Sequence, residues 1–316
     1  FPANFATTPL NAATVSHLSG DPLQGGATAS TPVVHSFSPT YSGTTPSATA
    51  LATAGQVGSV WGVAWQPTAN RLFVGGFVRR HSGLGPQGLG GIYVVNDPQG
   101  TPSAGNFVDL ENAPFGLNLG DLPSNVARVL PITTTEYSTD TLAFAPVGKQ
   151  GLGDIDLTED EQSLWAVDLY NRALLRMNVA NGVTPTSVNS YTLSSMSGLP
   201  GCTLGVLRPW ALKFYNGRGY FGAVCTGENA SQVDNTEQDV ARGYLKGYVL
   251  SFDPSNPTAA TIELTIPMTY TRGQANSNSH TYNSQWFAWT DTWNYGLWTN
   301  GNATQSLPPL NSEREA

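Results

Sequence analysis

The sequence predicts an all-β protein, an irregular β-propeller with long inserted loops that is completed by its terminal segments or by a partner chain. Three observations predict it: a composition poor in charge and rich in turn and strand formers, apolar alternation with the period of a strand, and one strand–turn–strand order that recurs at three places. Among 316 residues there are 34 Gly and 22 Pro, and charged side chains make up only 11%, well under the roughly 25% usual for soluble domains. Gly and Pro weaken helices, whereas β-branched Thr and Val fit a pleated sheet. A chain of this length can bury a substantial core.

Residues 1–57, rich in Thr, Ala, Ser, Pro and Gly, read as an extended N-terminal arm or as atypical closing strands, with a strand at Val33–Phe37. The core blades are assigned to 58–281. The first unit alternates large and small residues over Ser59–Trp65, turns at Gln66–Asn70, and returns along Arg71–Phe77. After the Gly-rich loop 82–91 it continues as Gly91–Asn96. The second unit runs from Leu152–Leu157 through the acidic turn 158–162 to Ser163–Asp168, then from a turn at 170–172 to Ala173–Val179. The third has Arg208–Phe214, the turn Asn216–Gly217, a strand from Gly219 to Val224, and Gly243–Asp253. Outer-strand material is expected within 107–147, at Phe107–Leu110 and Thr141–Phe144, and at Thr261–Pro267. Stacking such sheets radially buries faces that one sheet would leave wet. The last stretch, 282–316, holds Trp286, Trp289, Trp293 and Trp298 and reads as a Trp-rich closing segment or interface.

These units resemble a propeller-like region of large bacterial cell-surface proteins that often also carry Ig-like, SdrD-type B domains. The matching phrases are Gly58–Ala64, Arg79–Pro86 with Gly90–Tyr93, Leu152–Leu157, Arg208–Phe214 and Gly222–Cys225, with an echo in Tyr270–Gly273 and Trp286–Trp293. The resemblance implies a propeller at the cell surface and carries over no catalytic residues.

With a net charge of −8 and only 14 Lys plus Arg, the chain lacks the broad cationic surface that nucleic acid requires. It has no apolar run of transmembrane length. It opens at Phe1 with no basic-then-apolar leader, as it would after removal of one. Cys202 and Cys225 fit neither a CxxC nor a zinc pattern, so a disulfide is expected, with two buried thiols as the alternative. An extracellular or cell-surface location follows from that expectation and from the low charge.

No constellation makes a catalytic centre. The Gly-rich run 83–91 lacks GK[ST] and reads as a long interstrand loop. Asp154, Asp156 and the acids of the following turn form the densest acidic group. Asp154 and Asp156 share one strand face, and calcium is the hard cation such oxygens would take; structural acids, and a glycosidase pair, are the other readings. His17, His35, His81 and His280 form no close ligand pair. His81 stands out because Arg79, Arg80 and a Gly-rich loop surround it. The C-terminal tryptophans can pack, meet a protein partner or stack on sugar rings. Asn229 and Asn302 head sequons. The leading expectation is therefore a noncatalytic extracellular structural or adhesion component that assembles with protein partners or with itself, without a cofactor. The alternative is a secreted carbohydrate-binding or carbohydrate-active propeller.

Overall fold

Strand-period alternation yields four antiparallel sheets. They are seen in a computed structural model that describes residues 12–40, 47–133, 136, 138–229, 243–270, 286, 288, 289 and 291. The first sheet joins β1 (Ala12–Val15), β2 (Pro32–Phe37) and β3 (Thr49–Thr53), with the short helices α1 (Gly26–Ser30) and α2 (Ala54–Val57) beside it. The other three share one plan, four strands added in chain order by successive hairpins. The second contains β4 (Val60–Gln66), β5 (Arg71–Gly76), β6 (Gly91–Asn96) and β7 (Ser103–Asp109). The third contains β8 (Leu152–Leu157), β9 (Ser163–Asp168), β10 (Ala173–Asn178) and β11 (Asn189–Thr192). The fourth contains β12 (Leu207–Tyr215), β13 (Arg218–Cys225), β14 (Lys246–Phe252) and β15 (Ala260–Pro267).

Position within a sheet explains each strand's pattern. β5 and β9 are buried on both faces, as expected for strands sandwiched between layers, so they read as continuous apolar runs. β15, at an outer edge, is largely exposed. The turn between β12 and β13 places Asn216 at φ 51° and Gly217 at φ 74°, the paired left-handed geometry of a two-residue hairpin whose twist matches its strands.

Three buried cores join the sheets pairwise. Val34, Leu51 and Val57 meet Val60, Leu72 and Val95 between the first two sheets. Phe73, Ile92 and Val108 meet Ile155, Leu164 and Leu175 between the second and third. Trp165, Val167 and Leu174 meet Leu212, Phe214 and Phe252 between the third and fourth. Trp165 is fully buried, with Tyr191, Phe214 and Phe252 around it at 5.4–5.6 Å between ring centres. Among the described residues no core cluster joins the fourth sheet to the first.

The inner strands β4 and β12 flank β8. Gly153 permits this closeness: a Cβ there would lie 2.9 Å from the Trp210 carbonyl oxygen. Because strands alternate in direction, the long connections 77–90 and 110–151 and the stretch after Cys225 all leave from the end where the inner strands begin. Turns 67–70, 97–102, 158–162 and 216–217 occupy the other end. Cys202 and Cys225 are joined in a disulfide with a Cα–Cα distance of 5.3 Å, fastening the loop before β12 to the last residue of β13.

Phe107–Asp109 does lie in an outer strand, β7. Thr141–Ala143 corrects the reading of that segment as strand: it is a single 3-10 turn entered from Asp140 at φ 37°. Its backbone reverses to bring the Asp140 carboxylate inward, leaving no extended run to pair.

Candidate functional site

Two of three candidate groups lie at the long-loop end, and the other runs along β8 toward the opposite turns. The first is built where the chain leaves β5. His81 adopts φ 67°, and its backbone N–H donates to Asp140 Oδ2 at 2.6 Å while its Nδ1 lies 2.9 Å from Ser138 Oγ. Arg80 donates to the Thr139 carbonyl at 2.7 Å. Arg128 grips Asp140 through Nε (3.0 Å) and Nη2 (2.6 Å), and the same Nη2 reaches the Arg79 and Ser82 carbonyls. Both side chains of the Arg128–Asp140 pair are 0% exposed. Arg80 and His81 are thus brought together with Arg128 and turned inward onto 138–140, while Arg79 contributes its backbone carbonyl. Burial, then the Arg80 charge, push the His81 pKa down, so its ring is neutral at pH 7.

The second group lies on β8. Asp154 Oδ1 accepts from the Ile155 N–H and Oδ2 from the Leu212 N–H, both at 3.0 Å. Asp156 Oδ2 accepts from the Phe214 N–H at 2.6 Å and Oδ1 from Lys213 Nζ at 2.9 Å. β12 is an edge strand of the fourth sheet, so backbone N–H groups that do not face β13 point outward and need acceptors. The two acids therefore staple the third sheet to the fourth. Burial pushes the Asp154 carboxyl up, opposed by its two backbone donors. Among the described residues no group of three or more His, Cys, Asp or Glu is placed to hold a metal ion.

Replacing Asp154 by Asn leaves one amide oxygen for two backbone donors and sets an NH2 against one of them. We expect D154N to lose about 1–3 kcal/mol at pH 7, read as a lower urea midpoint at unchanged slope. Because folding raises this pKa, the wild-type contribution declines as pH climbs through it. D154N lacks that part of the pH dependence.

The third group is aromatic. Trp61 on β4, 42% exposed, meets Trp210 on β12 edge to face at 6.3 Å across β8. Phe77 touches both, at 5.7 Å and 5.1 Å, and the His17 ring stacks on Trp61 at 6.1 Å. Burial, then Arg79, lower the His17 pKa to about 4, so this ring too is neutral at pH 7. Trp289 lies 5.9 Å from the Arg208 guanidinium and donates its backbone N–H to Thr226 O at 2.9 Å. Beside it Lys149 pairs with Asp291 at 2.5 Å and with Glu228 at 3.3 Å, and Arg208 pairs with Glu228 at 3.1 Å. Trp286 meets Tyr270 edge to face at 5.7 Å. Trp293, Trp298, His280 and Asn302 lie outside the described residues.

Arg128, Asp140 and the Trp61–Trp210 contact escaped the sequence reading. The signal that could have found Arg128 is scarcity: in a chain this poor in charge, an arginine flanked by Val126, Ala127, Val129 and Leu130 has a specific partner.

No family model matches the chain. It is similar to three proteins of Dictyostelium discoideum. It is 26% identical to Colossin-D over 225 residues, 71% of this chain and 21% of that protein. With Colossin-A the figures are 24% over 241 residues, 74% of this chain and 2% of that protein. With Colossin-C they are 25% over 246 residues, 76% and 22%. The chain thus spans about a fifth or less of the length of these curated relatives. Among solved structures, it is similar to a nidogen–laminin complex, with TM-score 0.40 and 8% identity over 81% of this chain and 62% of that one. It is also similar to an auxiliary nutrient binding protein from Bacteroides ovatus, with TM-score 0.36 and 10% identity over 84% and 46%.

Proposed function

We propose that the four sheets belong to an irregular β-propeller of a large surface protein, serving as a noncatalytic extracellular structural or adhesion module. In this reading its long-loop end engages protein partners. The observation that carries the reading is how side chains are divided between the fold and its surface. Asp140, Asp154 and Asp156 accept from backbone, arginine or lysine donors on both carboxylate oxygens. The side chains exposed at the long-loop end include the large apolar Trp61, Val126, Val129 and Ile132. General acid–base chemistry needs a titratable group aimed at substrate, whereas protein contact needs an apolar centre with a polar rim. The disulfide fits an oxidising, extracellular setting. The family resemblance seen in the residues points the same way.

Exposed Trp61 favours the carbohydrate alternative, yet His17 stacks on its ring and Phe77 packs at 5.7 Å, which crowds the faces a sugar would need. Affinity electrophoresis through soluble polysaccharides separates the readings. The expected result is unchanged mobility for wild type and W61A alike. Retardation abolished by W61A would establish the carbohydrate reading instead.

A further inference from the structure

The chain is poor in cations and carries a net charge of −8, yet three of its basic side chains stand around one row of aromatic rings. The His17 ring stacks on Trp61, and Trp61 and Phe77 both meet Trp210. A Cβ on Gly148 would lie 2.9 Å from Trp289 and 3.0 Å from Trp210, so those two indoles flank it and continue the row. Arg208 lies 5.9 Å from the Trp289 ring, and Lys149 follows Gly148. Arg79 comes two residues after Phe77 and is close enough to His17 for its charge, after burial, to lower that ring's pKa.

Two of these three cations are committed. Arg208 and Lys149 share Glu228, and Lys149 also takes Asp291. Arg79 is not. Its carbonyl serves Arg128, but its guanidinium makes no hydrogen bond or ion pair with any described residue. Its neighbours Arg80 and Arg128 are turned inward onto Thr139 and Asp140. Asp140, the acid that acts on His81 beside it, is already held by Arg128. A half-buried guanidinium therefore keeps its fork of donors open next to an indole that is 42% exposed. That fork matches the two oxygens of a carboxylate.

We propose that Arg79 and the exposed part of Trp61 form a docking site for an acidic segment of a protein partner, Arg79 taking a carboxylate and Trp61 an adjacent aliphatic side chain. Charge complementarity selects that occupant: the unpaired group here is a cation, in a chain whose net charge is of the opposite sign. An aromatic ring beside an arginine is also the pairing on which protein contacts concentrate their binding energy. A flat sugar ring fits less well, because His17 and Phe77 crowd the Trp61 faces, whereas an aliphatic side chain needs only the exposed edge.

This proposal rests on the protein-contact reading above and names the chemistry of its partner. The test is fluorescence anisotropy of a short labelled peptide of alternating Glu and Leu, with a Gln-for-Glu copy beside it, titrated with the oxidised full chain at low salt. R79Q keeps the backbone carbonyl that Arg128 uses, so its melting temperature stays that of wild type, and K246Q removes an exposed cation elsewhere. The expected result is binding of the Glu peptide and not of the Gln copy, with a dissociation constant that rises about tenfold or more in R79Q and stays unchanged in K246Q. R79K, which keeps the charge without the fork, falls between. No binding by wild type, no change in R79Q, or an equal loss in K246Q overturns the site. Electrophoresis through alginate, a polyuronate, separates the two levels: retardation lost in R79Q gives the site to an acidic polysaccharide and overturns the protein-contact reading with it. Failure of the peptide with mobility unchanged in every polysaccharide overturns this site alone.

Discussion

Replacing Asp140 by Ala is expected to destabilise the protein by about 3–5 kcal/mol, because it leaves the Arg128 guanidinium charged and without its counterion inside the fold. Both side chains are 0% exposed, and Arg128 Nη1 has no hydrogen-bond partner even in the intact pair, so little can compensate. The same substitution removes the acceptor of the His81 N–H and loosens the loop that carries Val126 and Val129. Chemical denaturation of D140A against wild type measures the loss. Replacing both partners, as in R128M/D140L, removes the stranded charge, and the double variant should be more stable than D140A alone. A D140A midpoint within error of wild type would mean that water reaches Arg128 in solution.

Removing the disulfide has the second-largest expected effect. Cys202 and Cys225 close a loop with a sequence separation of 23, for which loop entropy gives about 3 kcal/mol. The C202S/C225S protein should therefore unfold at markedly lower denaturant, while wild type under reducing conditions should match it. The loss falls on the fourth sheet, because Cys225 ends β13 and is 1% exposed within the third core. If reduction left the midpoint unchanged, native strain or residual structure in the unfolded chain would be cancelling the gain.

What the residues made legible was set by distance along the chain. β4, β5, β8 and β9 were readable because alternation, continuous apolar runs and turn residues are local signals. Thr141–Phe144 was not: an apolar run this short suits a strand or a turn, and what decides is the inward pull of Asp140 by Arg128, a contact from outside the segment. Asp154 and Asp156 were legible as a pair on one strand face. Their role was not, since the donors they satisfy lie 58 residues onward, on an edge strand of another sheet that no local pattern places there. The basic cluster stood out by composition, yet its partners Ser138, Thr139 and Asp140 sit in an aperiodic loop, where spacing carries no information. The outward aliphatic side chains were invisible for the opposite reason. In sequence, Val126 and Val129 look like core residues, and only the backbone conformation turns them outward.

The central claim is that the long-loop end is a protein-contact face whose buried ionised groups serve the fold. Hydrogen–deuterium exchange, comparing dilute protein with the same protein bound to its partner or concentrated into an assembly, tests it most directly. The account predicts added protection in 20–28, 79–84 and 124–142, with the turns at 67–70, 158–162 and 216–217 unchanged. Added protection confined to those turns, or to the outer strand β15, would contradict it.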